Sequence, residues 1–311
     1  MKPRGGISFI KQFRCFLDMT STAASLFQGS EHSALYAKFR PVAPISLVQD
    51  IIKYHGTAEN KLQTCVDVGC GSGQFTQLLI PFSHHIIGQD ISPTQIKEAK
   101  EIFCDSNIEF RVGSAESIDI PDSSVDLVTI SQALHWVQVE EFYKEVDRIL
   151  VPGGTLAVVG YQFTCPHQTW TNNRTLKDAL HTVYSETKDY WSSERRLVDN
   201  EYHDIPQADL KDYTRKNEHF TSMNGSLADW IGYISTWSGY QSLRKKEGDE
   251  VAGQVLNRFK QDCLNILGWN KILVDHVQEG TRFWLIMYSN YDSMTFTCKT
   301  FICITFYCKL C

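Results

Sequence analysis

The feature that most narrows the possible folds is a glycine-rich turn, Asp67-Val68-Gly69-Cys70-Gly71-Ser72-Gly73, set between an apolar run and a helix-like stretch. Glycines at alternate positions allow a tight reversal and let the backbone approach a ligand where any Cβ would collide. Such a turn needs a strand to enter it and a helix to leave it, as at the first crossover of a βαβ unit. Its G-x-G-x-G spacing departs from the G-x-G-x-x-G of a pyrophosphate-binding turn, which disfavours a nicotinamide oxidoreductase.

The surrounding chain has the pattern this turn requires. From residue 62, short β-branched runs alternate with helical stretches, the mark of a parallel sheet. Strands are expected at residues 64–68, 85–89, 108–112, 125–131 and 155–161. Helices are expected at 74–80, at 93–103 with Ser92 as cap and Pro93 in first position, and at 140–150. Pro152-Gly153-Gly154 stops the last helix and returns the chain to the sheet. The expected class is α/β, a Rossmann-like doubly wound sheet.

Beyond Gln162 the pattern loosens. Residues 163–270 read as mainly helical, a cap over the carboxyl edge of the sheet, with 217–221 a short strand paired to a last strand at 283–288. Residues 291–311 change abruptly to Thr, Phe, Cys and Lys, and read as an atypical tail outside the domain. Residues 1–24 read as an amino-terminal extension. Lys2, Arg4, Lys11 and Arg14 precede its first acid, Asp18, a faint likeness to a presequence. The domain itself is placed at 25–290, with its core at about 62–162.

Composition removes several rival classes. With 30 Lys and Arg against 36 Asp and Glu, the net charge is −6, so no basic footprint for nucleic acid is expected. No uninterrupted apolar run reaches the roughly 18 residues of a membrane span. Cys65, Cys70, Cys104, Cys165 and Cys263 are scattered singly, which reads as reduced thiols in a cytoplasmic protein. Cys298, Cys303, Cys308 and Cys311 lack a C-x-x-C pair and a His partner, so no metal site is expected. Monomer and homodimer both remain open.

Open α/β sheets bind ligands at the carboxyl ends of their strands. Asp90, ending the second strand, can accept the hydroxyls of a ribose. Gly113-Ser114-Ala115-Glu116, after the third, has small residues that can border an adenine and an acid that can accept from its amine. Ser131-Gln132-Ala133-Leu134-His135-Trp136 follows the fourth. Asp67 either orients the amides of the glycine turn or meets a cationic ligand group. His135 either serves as a general base or supports its own loop.

Together these residues resemble the class I S-adenosylmethionine-dependent methyltransferases, and within them the small-molecule group that includes trans-aconitate methyltransferase-like proteins. The resemblance runs from about Ser25 to Asn290. It rests on D-V-G-C-G-S-G at 67–73, Asp90, G-S-A-E at 113–116, A-L-H-W at 133–136 and R-I-L-V-P-G-G at 148–154. Tyr36 to Pro41 looks like the group's Y-x-x-x-R-P segment, and Thr236 to Tyr240 like its T-W-S-x-Y segment. The resemblance implies a seven-stranded sheet with an antiparallel edge strand, and S-adenosylmethionine as cofactor. It places Gly69, Gly71 and Gly73 against the methionine part of that cofactor, with Asp67 near its ammonium group. Asp90 would take the ribose, Ile91 would pack on adenine, and Ala115 and Glu116 would border the adenine edge. Gln132 and His135 would lie near the sulfonium, with Tyr36 and Arg40 closing over.

Methyl transfer is an in-line displacement that asks the protein to align two groups and exclude water. A small-molecule acceptor is expected. For a carboxylate acceptor the need is an Arg or hydroxyl clamp, for which Arg40, Arg174, Arg195, Arg196 and Arg282, with Tyr36, Tyr161 and Tyr240, are candidates. Trp136 and Trp237 are candidate walls of the acceptor pocket. The alternative from a different class is a non-catalytic S-adenosylmethionine-binding protein acting through a partner.

Overall fold

The computed structural model describes residues 39–56, 61–104, 107–162, 165–166, 175–221, 226–266 and 298–308. Its parallel strands are β1 (Leu62–Val68), β2 (Ser83–Asp90), β3 (Ile108–Val112), β4 (Val125–Ser131) and β5 (Leu150–Tyr161), in the spatial order β3-β2-β1-β4-β5. The chain moves outward from β1 through β2 to β3 and then returns to the other side of β1 with β4. That reversal separates the crossovers flanking β1 and β4, and so opens a crevice at their carboxyl ends.

Helices cover both faces, which is why Cys65–Val68 of β1 and Leu127–Ile130 of β4 are buried at every position without alternation. The helices are α1 (Ile45–His55), the short α2 (Thr76–Leu79), α3 (Pro93–Ile102) and α4 (Val139–Ile149). Leu47, Val48, Ile51 and Ile52 of α1 pack with Leu79, Ile86, Leu127 and Ala157. On the other face Phe142, Val146 and Ile149 of α4 pack with Val66, Val128 and Leu156. The Ser92 hydroxyl accepts from the Gln95 N–H at 3.4 Å, so the expected cap starts α3, with Pro93 in first position. Pro152-Gly153-Gly154 works differently from the expected turn. It forms an irregularity inside β5, where pairing with β4 jumps from Val125↔Leu150 to Leu127↔Thr155.

Past β5 come β6 (Cys165–Pro166), β7 (Lys211–Thr221) and β8 (Cys298–Cys308). β8 runs antiparallel to β5, from Thr155↔Cys308 to Tyr161↔Ile302, and β7 pairs antiparallel with the same stretch of β8. Since β5 and β7 both register with the same residues, β8 lies between them, and β7 is outermost among the described residues. One expectation is corrected here: the segment 298–308 is a sheet strand, paired with β5 and β7, and does not stand apart as a tail. The strand expected at 283–288, as the partner of 217–221, lies outside the described residues. The reason is visible in Thr300-Phe301-Ile302-Cys303-Ile304-Thr305-Phe306-Tyr307, a run of β-prone residues that completes the open edge of β5.

The cap comprises α5 (Leu176–Glu186), α6 (Arg195–Asp199), α7 (Leu227–Ser235), α8 (Ser238–Glu247) and α9 (Asp249–Ile266). Thr175 with Asp178, and Ser226 with Asp229, form reciprocal capping boxes that start α5 and α7. Phe39, Leu180, Val183, Trp230, Tyr233, Trp237, Val255 and Phe259 make a core of their own. Among the described residues no helix is long and apolar enough to cross a membrane.

Candidate active site

At the carboxyl ends of β1, β2, β3 and β4 lies a cleft enclosing about 860 Å³, its mouth included. Gly69, Asp90, Ile91, Gln95, Ala115 and Trp136 are among its walls. A second cleft, about 650 Å³, adjoins it and is bounded by Pro41, Val42, Asp67, Phe75, Val159 and Tyr161. Gly69, Gly71, Ser131 and Gln132 line both, so the two are joined across the glycine turn and the loop after β4.

The turn is built on left-handed backbone. Gly69 has φ +65°, and a Cβ there would sit 2.5 Å from the Ala133 Cβ, so an L side chain is excluded by strain and by space. Gly71 has φ +55° and donates its N–H to Asp90 Oδ2 at 2.9 Å, while Ser92 N–H donates to Oδ1 at 2.8 Å. These two bonds aim the Asp90 carboxylate from both oxygens, against a burial that pushes its pKa up. Gly73 departs from its expected place. It lines neither cleft, and a Cβ on it would strike Phe103 and Phe110, so its smallness serves the packing of α3 on the sheet.

Asp67 is fully buried below the turn. Its Oδ2 accepts from the Thr76 hydroxyl at 2.6 Å and its Oδ1 from that of Thr129 at 2.7 Å. Burial raises its pKa to about 6 despite those two donors. Of the two readings open in the sequence, the first gains support. The carboxylate ties the start of α2 and the middle of β4 to the end of β1, and so fixes the platform on which the glycine turn stands.

The loop after β4 carries the least expected geometry. Gln132 adopts φ +54°, a left-handed conformation that a non-glycine residue holds only when its surroundings over-determine it. Here its N–H donates to Val159 O at 2.9 Å and its Nε2 to Tyr161 O at 2.6 Å. Trp136 reaches the wall of the first cleft, beside Ala115 and Ile91, and so belongs with the adenosine-sized space. His135, next to it, points elsewhere. It is 8% exposed, its Nδ1 shares a 2.9 Å hydrogen bond with the Tyr202 hydroxyl, and it lines neither cleft. Burial, with the nearby Arg195, pushes its pKa down to about 3, so the ring is neutral. That favours the supporting role over the general base.

Glu116 lines the first cleft, but its carboxylate is already engaged. Oε1 accepts from the Gln138 N–H at the start of α4, at 2.7 Å, and Oε2 from the Ser114 hydroxyl. Arg40 and Trp237 lie away from the place expected of them. The Arg40 guanidinium donates to Thr236 O at 3.0 Å and lies over the Tyr233 ring, fastening the amino-terminal segment to the end of α7. Trp237 is fully buried between Trp191 and Tyr233 in the cap core, and lines neither cleft. Both are corrected to cap residues, because an aromatic or long cationic side chain reaches whichever apolar neighbour the tertiary packing supplies. Tyr36 and Arg282 lie outside the described residues.

Four contributing residues were missed in the sequence. Gln95, one turn into α3, lines the first cleft and carries a buried Oε1 with no hydrogen-bond partner among the described residues. Gln89 Nε2 donates to Ser114 O at 2.6 Å, pinning the loop after β3, and a Cβ on Gly113 would collide with it. Thr76 and Thr129 hold Asp67. Only Gln95 carried a signal, its position one turn beyond the Ser92 cap and so at the cleft end of a helix. Among the described residues no group of His, Cys, Asp and Glu is arranged to hold a metal ion.

The donor set fits a nucleoside carrying an amino-acid tail. The oriented Asp90 carboxylate lines the same cleft as the apolar Ile91, Ala115 and Trp136, and the Gln95 Oε1 has no donor among the described residues. Fold and site together define a doubly wound nucleoside-binding enzyme with its cleft at the β1/β4 switch point. The family described as a methyltransferase domain matches residues 66–158. A Dictyostelium discoideum protein named as a methyltransferase is 35% identical over 225 residues, spanning 72% of this chain and 81% of its own length. A Saccharomyces cerevisiae protein named as an S-adenosylmethionine-dependent methyltransferase is 36% identical over 130 residues, but only 44% of its length is covered. A solved structure from Anaeromyxobacter dehalogenans, named as a type II methyltransferase, superposes with a TM-score of 0.59 at 19% identity, over 88% of this chain and 98% of that one. At that identity it speaks for the fold alone. The chain belongs to the S-adenosylmethionine-dependent methyltransferase family, with S-adenosylmethionine as its cofactor.

Proposed function

We propose that this methyltransferase acts on a small molecule, as in the trans-aconitate methyltransferase-like group it resembles, and that the acceptor is the carboxylate of an organic acid. The observation that carries the reading is the junction of the two clefts at Gln132, whose strained backbone is held by Val159 and Tyr161. An acceptor reaching that junction through the second cleft passes Pro41, Val42 and Tyr161, which line it.

S-adenosylmethionine supplies, when bound, a methyl carbon activated by positive sulfur. Asp90 orients the ribose, with its carboxylate already aimed by the Gly71 and Ser92 amides. Ile91, Ala115 and Trp136 pack on the adenine, and Gln95 accepts a hydrogen bond in the same cleft. Gly69 and Gly71 bring backbone within contact of the amino-acid part, and Asp67 keeps them there through Thr76 and Thr129. Gln132 aligns the reacting groups and helps to exclude water. His135 takes no part in proton removal, since its Nδ1 is engaged by Tyr202 and burial leaves the ring a weak base, with its pKa lowered to about 3. A carboxylate, ionised at neutral pH, needs no base.

The test is transfer of a radiolabelled methyl group from S-adenosylmethionine into a fractionated cell extract, with folded Asp90→Ala protein as control. Label in small molecules that leaves as methanol on mild base treatment supports the carboxyl ester. Base-stable label in small molecules moves the acceptor to nitrogen, carbon or another oxygen. Label confined to macromolecules refutes the small-molecule reading.

A further inference from the structure

Two consecutive residues without a glycine between them, Glu201 and Tyr202, occupy the left-handed region at φ +51° and +62°. They follow α6, and their conformation is fixed from several sides. Tyr202 N–H donates to Leu197 O at 2.7 Å, Ile205 N–H to Tyr202 O at 3.1 Å, and Arg215 to both the carbonyl and the carboxylate of Glu201. Strain of this kind, held in place by its surroundings, concentrates at working parts of a protein. The product of this turn is the placement of one side chain. Tyr202 leaves the cap and reaches the carboxyl end of the sheet, where its ring packs over Gly160 of β5 so closely that a Cβ at 160 would lie 2.9 Å from Cε2. Its hydroxyl meets His135 Nδ1 at 2.9 Å, and the His135 ring lies 4.8 Å from that of Trp136, centroid to centroid. Trp136 is the wall of the nucleoside cleft.

We propose that Tyr202 is a positioning residue for cofactor binding, acting from the cap through His135 to set the plane of Trp136. The order of contacts is cap turn, phenol, imidazole, indole, cleft. His135 has a reason to be buried and neutral in this scheme, because burial and the nearby Arg195 both disfavour a charged ring where it meets the Tyr202 hydroxyl. Gly160 has one too, since only a residue without a side chain leaves room for the phenol. The proposal rests on the reading of the first cleft as the cofactor site, and it adds a residue that touches neither cleft.

The test compares wild type, Tyr202→Phe, Trp136→Ala and the double variant, using calorimetric binding of S-adenosylhomocysteine, the demethylated product, alongside thermal unfolding. Tyr202→Phe keeps the ring and removes only the hydroxyl. It is expected to raise the Kd by about three- to tenfold, the range of one hydrogen bond, and to have no further effect when Trp136 is already Ala. A merely structural tyrosine would change unfolding equally in both backgrounds without this dependence on Trp136. An unchanged Kd in Tyr202→Phe, or the same fold-change in both backgrounds, would overturn the proposal. Should Tyr202→Phe fail to fold, Gly160→Ala displaces the ring from the strand side and is expected to raise the Kd likewise. An unchanged Kd there would also overturn it. Absence of binding by the wild type would instead remove the cofactor reading of the cleft, and the proposal with it.

Discussion

The neutral state of His135 has a consequence for acid stability that follows in sign and size from its surroundings. In the unfolded chain the ring titrates near 6.5, and in the folded protein burial lowers this to about 3. Between those values the unfolded state binds the proton and the folded state does not, so stability rises with pH there and is lost as pH falls. From pH 7.5 to pH 5.0 the loss works out at about 2 kcal/mol, at 1.36 kcal/mol for each pH unit once the unfolded ring is fully charged. Asp67 acts in the opposite sense. Its carboxyl, raised from 3.8 to about 6, gives stability back as pH falls across that interval. The useful quantity is therefore a difference between two chains that share Asp67.

In His135→Gln the polar partner of Tyr202 is kept and the titrating group removed. Urea unfolding of wild type and variant at the two pH values is expected to show the wild type losing about 2 kcal/mol more than the variant. Turnover of the variant at pH 7.5 is expected to stay within a few-fold of wild type, whereas removal of a general base costs a hundredfold or more. Equal pH dependence in the two chains would refute the neutral, buried ring. A hundredfold fall in turnover with cofactor affinity intact would restore His135 as the base.

Asp90→Ala removes a carboxylate aimed at the ribose by two backbone amides, and is expected to weaken S-adenosylhomocysteine binding by about 1.5–3 kcal/mol in calorimetry, with a native circular dichroism spectrum. In Gly69→Ala a methyl group meets the Ala133 Cβ at 2.5 Å on left-handed backbone, so cofactor binding is expected to fall more than tenfold and thermal stability with it. Wild-type affinity in that variant would mean that the turn does not approach the cofactor. Trp237→Ala empties the cap core and is expected to cost about 3–5 kcal/mol in denaturant unfolding while leaving the affinity of the folded protein for S-adenosylhomocysteine within twofold. A large change in that affinity instead would return Trp237 to the wall of the site.

The features legible in the sequence are those carried by local chemistry. The order of β1 to β5, the left-handed glycine turn, the Ser92 cap and the placing of Asp90, Ala115 and Gln132 at strand ends all follow from short-range patterns. Alternation, β-branching, capping and the conformational range of glycine act within a few residues. The strands then fall at the switch point because crossovers have one hand.

Tertiary structure alone decided which long side chains reach the clefts. Arg40 and Trp237 sit in segments that look like site motifs, yet the packing of α7 to α9 draws both into the cap. His135 follows β4 as a catalytic base would, but Tyr202, far along the chain, claims its Nδ1. Residues 298–308 look foreign by composition and become a strand between β5 and β7 because the edge of β5 needs a partner. For Arg40, His135 and residues 298–308 the deciding group lies far along the chain. The sequence settles where the backbone turns and which groups stand at the strand ends, and the fold settles which of those groups remain free to meet a ligand, because hydrogen bonds and burial are allotted by neighbours in space.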